Sequence, residues 1–77
     1  MDDMKIIGGN IRAIRKENGM TQAQLAKALG ISAATLSSHE TGKTAPSMDL
    51  IFQIARHFKT SIDKLLKQPE SKDTFNN

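Results

Sequence analysis

The sequence predicts an all-α fold, a compact bundle of five short helices in one small domain. Three observations predict it. Apolar residues recur every three or four positions along nearly the whole chain, and no segment alternates as a strand does. Gly, Asn, Ser and Thr break the apolar stripes at positions typical of helix starts and stops. With 77 residues and no cysteine, the chain can form neither a disulfide nor a thiolate metal site. Helix packing alone must then supply a modest core.

The first helix, 6–18, carries the stripe Ile7, Ile11 and Ile14. It stops at Asn18-Gly19, because glycine readily takes the left-handed conformation after a last turn. Gly8-Gly9 weakens its start. The second helix, 22–29, opens on Thr21-Gln22-Ala23-Gln24, a capping box in which the residues at either end satisfy each other's backbone N–H. Its stripe is Leu25, Ala26 and Leu29, and Gly30 ends it. Ser32 caps a third helix, 33–41, which stops near Thr41-Gly42. Pro46-Ser47 precedes a fourth, 48–58, with Asp49 placed well for the helix dipole and the stripe Leu50, Ile54 and Phe58 beside Ile51 and Ala55. Ser61 caps a short fifth, 62–67, with Asp63 in its first turn. Residues 1–68 read as the domain. Residues 69–77, polar and aperiodic after Pro69, read as a flexible tail.

Charge is uneven. Asp2, Asp3, Glu70 and Asp73 put much of the acid at the two ends. From Lys5 to Lys67 there are ten Lys or Arg against four acids (Glu17, Glu40, Asp49, Asp63), so the body is more basic than the whole chain's +3. A compact basic body suits phosphate-rich or otherwise acidic partners, a solvated surface being the plainer reading. The N-terminal stretch has no long apolar run, so neither a signal peptide nor a membrane span is expected, and the lack of cysteine fits the expected cytoplasmic location.

The second and third helices are joined by about three residues, Gly30-Ile31-Ser32, which forces the sharp angle of a helix-turn-helix. Ala26 is small where the helices must cross. Gly30 sits where positive φ is needed. Ile31 and Leu36 can pin the third helix to the core. With these pieces in order, the segments "MTQAQLAKALGIS", "HETGKTAPS" and "SIDKLL" resemble the Cro/phage-repressor (XRE-like) helix-turn-helix family over residues 7–66. The resemblance implies a lambda-repressor-like five-helix domain. It implies a transcriptional regulator of bacterial or phage origin that binds operator DNA as a dimer, with the third helix in the major groove and the start of the second on the backbone.

Residue by residue, Gln22 matches the family's phosphate-touching glutamine. Lys43 and Thr44, in "TGKT", match phosphate-contacting positions after the recognition helix. With Leu36 inward, about 100° per residue turns Ala34, Ser38 and Thr41 outward, flanked by Thr35 and Ser37. By resemblance Ser32, Ala33, Ala34, Ser37 and Ser38 occupy base-facing positions. The best-known phage members often carry amides there. Here alanine can touch a thymine methyl and a hydroxyl can bond either a donor or an acceptor, but no Arg reaches guanine. Arg12, Lys16, Lys27 and Lys5 add to the basic field, each alone reading as a solvated charge.

Arg15 and Glu40 match a family ion pair between the first and third helices, and Glu40, partly inward, needs such a partner. Met48 and Phe52 form an i,i+4 pair pointing away from the Leu50/Ile54/Phe58 stripe, a contact patch for a second subunit or ordinary exposed apolar residues. By resemblance, Ile62, Leu66 and the turn Lys59-Thr60-Ser61 are further dimer candidates.

No enzyme is expected. Ser37, Ser38, His39 and Glu40 are neighbours on one helix and point too far apart for a catalytic relay. His39 reads as packed and partly exposed, where the family commonly has a larger apolar or aromatic residue. His39 and His57 without cysteine make no metal site. "GKT" lacks the upstream glycine and strand of a nucleotide-binding loop. No cofactor or small-molecule ligand is implied. Two rivals remain: an antitoxin- or antirepressor-type module that grips a protein, and a nonspecific architectural DNA binder.

Overall fold

A computed structural model describes residues 3–68, which form five α-helices and no strand. They are α1 (Asp3–Glu17), α2 (Gln22–Leu29), α3 (Ala33–Glu40), α4 (Met48–His57) and α5 (Ile62–Leu66). The expected tail, 69–77, lies outside the described residues.

Local chemistry sets both ends of these helices. Thr21, Ser32, Ser47 and Ser61 stand just before α2 to α5 in extended backbone. Each hydroxyl accepts the N–H three residues on: Gln24 at 3.1 Å, Thr35 at 3.0 Å, Leu50 at 3.1 Å and Lys64 at 3.1 Å. Each such cap contributes about 1 kcal/mol. The capping box at Thr21 is complete, since Gln24 Oε1 accepts the Thr21 N–H at 2.9 Å.

The first four helices end in one shared way. A left-handed residue follows the last turn, its N–H reaching back three residues and the next N–H reaching back five. The pairs are Gly19 to Lys16 with Met20 to Arg15, Gly30 to Lys27 with Ile31 to Ala26, Gly42 to His39 with Lys43 to Ser38, and Lys59 to Arg56 with Thr60 to Ala55. Glycine fills this position three times. Lys59, at φ 55°, is the positive-φ residue with a side chain among those described.

One expectation about α1 is corrected. The helix begins at Asp3 rather than at residue 6, and Gly8-Gly9 does not interrupt it. Asp3 in the first turn suits the helix dipole. Gly8 is buried because α1 lies on the carbonyl end of α3. A Cβ there would run into the backbone carbonyl oxygens of His39 and Glu40. The missing side chain is what lets the two backbones approach.

The core draws one fully buried side chain from each helix: Ile11, Leu25, Leu36, Ile54 and Leu65. Burying each contributes about 1.5–3 kcal/mol relative to exposure. Ile14, Ala26, Leu50, Ile51 and Ala55 complete it, with Ile7, Met20, Leu29, Ile31, Phe58 and Ile62 packed at its edge. α3 rests on α1 and α2, α5 on α1 and α4, and α2 touches α4. Asn10 ties the last helix down: its Nδ2 donates to the Leu65 and Lys67 carbonyls at 2.8 and 2.7 Å. These bonds satisfy carbonyls that α5, with only five residues, would otherwise leave open.

Candidate nucleic-acid interface

α2 and α3 are set at their angle by the Gly30-Ile31-Ser32 link. Gly30 is left-handed at φ 74°, Ile31 packs on the core and Ser32 opens α3. α3 then has two unlike sides.

The inner side is fully wired. Leu36 is in the core. Glu40 accepts from Arg15 through both oxygens, Nε to Oε2 at 2.7 Å and Nη2 to Oε1 at 3.0 Å. Arg15 Nη1 donates to the Met20 carbonyl at 2.7 Å. Both side chains are nearly out of water, with 8% and 1% of their surface accessible. The hydrogen bond that Arg15 donates to Glu40, opposed by burial and helped by the carboxylate's charge, holds the Arg15 pKa above its ordinary value. The sign is that of a group stabilised in its protonated form. Its contribution is therefore constant through neutrality and is lost only as pH rises through the arginine range.

Gln22 belongs to the same cluster. Its Nε2 donates to Glu40 Oε1 at 3.0 Å. The glutamine expected on a phosphate is therefore half-buried and held by a carboxylate, with one amide hydrogen and its oxygen left over. His39 is likewise more deeply placed than expected. It is buried rather than partly exposed, because α1 lies over its carbonyl and its Nδ1 sits 3.0 Å from Thr44 Oγ1 and 3.1 Å from the Thr44 carbonyl. Nothing in residue spacing pointed to either bond. The replacement of a family apolar residue by histidine was the available signal for the second.

The outer side offers little. Ala33, Ala34 and Thr35 are exposed, and Ser37 and Ser38 are half-buried. Ser38 is thus less outward than the helical angle alone implies. The following turn folds back on it, with the N–H groups of Lys43 and Thr44 both reaching the Ser38 carbonyl, at 2.9 and 3.3 Å. Ser32 Oγ donates to Thr35 Oγ1 at 2.9 Å, so Thr35 holds the spare hydroxyl hydrogen at the helix tip. The Thr41 hydroxyl turns back to the Ser37 and Ser38 carbonyls at 3.0 and 3.3 Å. Lys43 and Thr44 are exposed just beyond the helix.

Among the other expected contacts, Met48 and Phe52 are 51% and 45% exposed on α4, and Leu66 is 40% exposed on the adjoining α5. Ile62 is half-buried and packs on the core, so little of it is left for a partner. Ser61 is the cap of α5, and the Thr60 N–H closes the end of α4. Lys59 stays exposed in the turn between them. Among the described residues no group of three or more His, Asp or Glu is placed to hold a metal, and no helix is long and apolar enough to cross a membrane.

Comparison with known proteins agrees with this geometry. An HTH-type transcriptional regulator of Archaeoglobus fulgidus is 44% identical over 55 residues, covering 71% of this chain and 79% of that protein. The antitoxin PezA of Streptococcus pneumoniae is 37% identical over 71 residues, covering 84% of this chain, which spans 45% of the antitoxin's length. In solved structures, the clp gene regulator ClgR from C. glutamicum superposes with a TM-score of 0.75 at 27% identity, covering 82% of each chain. The helix-turn-helix family pattern matches residues 11–65. The chain belongs to the helix-turn-helix family, of the Cro/phage-repressor (XRE-like) type.

Proposed function

We propose that the chain is a sequence-specific double-stranded DNA-binding transcriptional regulator, a repressor that acts by occupying an operator. The observation that carries this reading is the contrast across α3. Its inner side is locked by Leu36, His39 and Glu40, while its outer side stands exposed with small side chains at an angle set by Gly30. Such a helix fits a major groove closely. Gln22 at the start of α2, with Lys43 and Thr44 beyond α3, supplies phosphate contacts on either side. Ala33, Ala34, Thr35, Ser37 and Ser38 read methyl groups and single hydrogen bonds, and DNA shape supplies a larger share of specificity. The role is binding rather than catalysis, and residues 1–68 form the unit that carries it.

The chain acts as a dimer on a pseudo-palindromic site with half-sites about one helical turn apart. Met48, Phe52 and Leu66 are the exposed large apolar side chains available for that contact, with Lys59, Thr60, Ser61 and Ile62 as further candidates. Binding to duplexes from around the chain's own gene, titrated against salt, tests the reading. The logarithm of affinity should fall by about 0.9 per phosphate contacted for each tenfold rise in salt. A flat response would sink it. Equal affinity for random duplexes would leave only an architectural binder.

Similarity to PezA favours one second reading, a module that grips a partner protein through the same apolar surface. The two separate cleanly. Met48→Glu with Phe52→Glu would abolish partner capture under that reading, and would weaken DNA binding only through lost dimerisation under the first.

A further inference from the structure

Resting on the DNA-binding reading, we propose that His39 is a positioning residue for phosphate recognition. Its Nδ1–H anchors the turn after α3 and leaves the Thr44 hydroxyl hydrogen free for a phosphate oxygen.

The geometry turns on one nitrogen. His39 Nδ1 is 3.1 Å from the Thr44 carbonyl oxygen and 3.0 Å from the Thr44 hydroxyl oxygen. A carbonyl oxygen only accepts. An unprotonated Nδ1 at that distance would set lone pair against lone pair, in a part-buried place where a polar clash is costly. Nδ1 therefore carries a hydrogen, in the neutral ring or the doubly protonated one alike. Toward that hydrogen both Thr44 oxygens are acceptors, and the hydroxyl keeps its own hydrogen. Thr44 is exposed, so a hydroxyl donor stands beside the exposed Lys43.

The other tautomer would reverse this. The hydroxyl would spend its hydrogen on Nδ1 and present only lone pairs to an anionic oxygen, which is itself acceptor-only. The backbone on both sides of this contact is held. Gly8 of α1 lies against the His39 carbonyl, and the Lys43 and Thr44 N–H groups hold the turn to Ser38. The ring thus registers two phosphate-contact candidates against the end of the helix that enters the groove.

Two experiments on the full chain decide this. Nitrogen-15 NMR of the ring should find Nδ1 protonated in the free protein. A bare Nδ1 with hydrogen on Nε2 alone would overturn the proposal whatever the DNA result. The second is a double-mutant cycle on the duplex that the wild-type chain selects from random DNA. His39→Phe keeps a ring without a donor, and Thr44→Val removes the hydroxyl. Each should weaken binding about five- to tenfold, and the double variant should lose no more than the worse single one. His39→Asn, whose amide N–H can stand in for Nδ1–H, should recover most of the affinity. His39→Leu, which also lacks a donor, takes the place of the phenylalanine variant in the cycle if that chain does not fold. Additive losses, or no loss on replacing His39, would overturn the proposal and leave DNA binding intact. A wild-type chain that selects no duplex would overturn both.

Discussion

The two sides of α3 are built for different ends. On the inner side, consecutive residues His39 and Glu40 are buried and each is tied to another element, His39 to the 43–44 turn and Glu40 to α1 and α2. On the outer side, Ala33 and Ala34 have no polar group to offer and Ser32 spends its hydroxyl on the helix itself. The contrast teaches that rigidity and recognition are separated here. Under the proposed DNA-binding reading, the helix is aimed by residues on its inner side, which leaves the residues proposed to face the groove free to be small. A small surface reads a sequence only if it is held at one depth and angle, so the wiring behind it is a condition of the function.

The sharpest way to break that separation is to cut the wiring. Glu40→Ala strands the Arg15 guanidinium in a place nearly closed to water. It should cost about 3–5 kcal/mol, most of the stability of a domain this size, as read by urea unfolding. Ala34→Ser on the outer side should move stability by less than about 0.5 kcal/mol. If the two substitutions cost the same, the inner side is not what fixes α3. Gly8→Ala tests the same side without touching a charge. The added methyl meets backbone rather than a yielding side chain, so a loss of about 1–3 kcal/mol is expected in the same measurement.

The outer side is probed by adding reach. Ser38→Arg places a guanidinium where the helix offers only a hydroxyl. Selection from random duplexes should then acquire a guanine preference worth about 1–3 kcal/mol at one position in each half-site. Unchanged preference would mean that α3 is not the reading element.

Much of the fold was legible because it is encoded locally. Thr21, Ser32, Ser47 and Ser61 mark helix starts by their own hydroxyls, and Gly19 and Gly30 mark stops by their own φ. The start of α1 was misjudged because Gly8 has a local cost and a remote reason: it lowers helix propensity but admits the α3 carbonyls. Asn10 was not singled out at all, since its partners lie 55 and 57 residues away and no local pattern signals them. The Arg15–Glu40 contact was expected from family resemblance. That Gln22 joins it, and that His39 holds Thr44, depend on three-dimensional closure between separate elements. At the candidate interface, then, the sequence nominates residues, whereas the bonds that hold Gln22 and His39 could not be read from it.

The smallest effect expected is also the cleanest. Lys43 is exposed, sits on the turn tied to Ser38 through its backbone, and uses no side-chain bond to do so. Lys43→Ala should therefore leave urea unfolding unchanged within about 0.5 kcal/mol. Under the proposed reading the side chain is a point charge over one phosphate, so its loss should weaken binding to all sequences alike and lower the salt slope by about 0.9 per chain. A dimer would lose twice that. The size of the slope change therefore counts the Lys43 side chains on the duplex, and with them the copies of α3 in the groove.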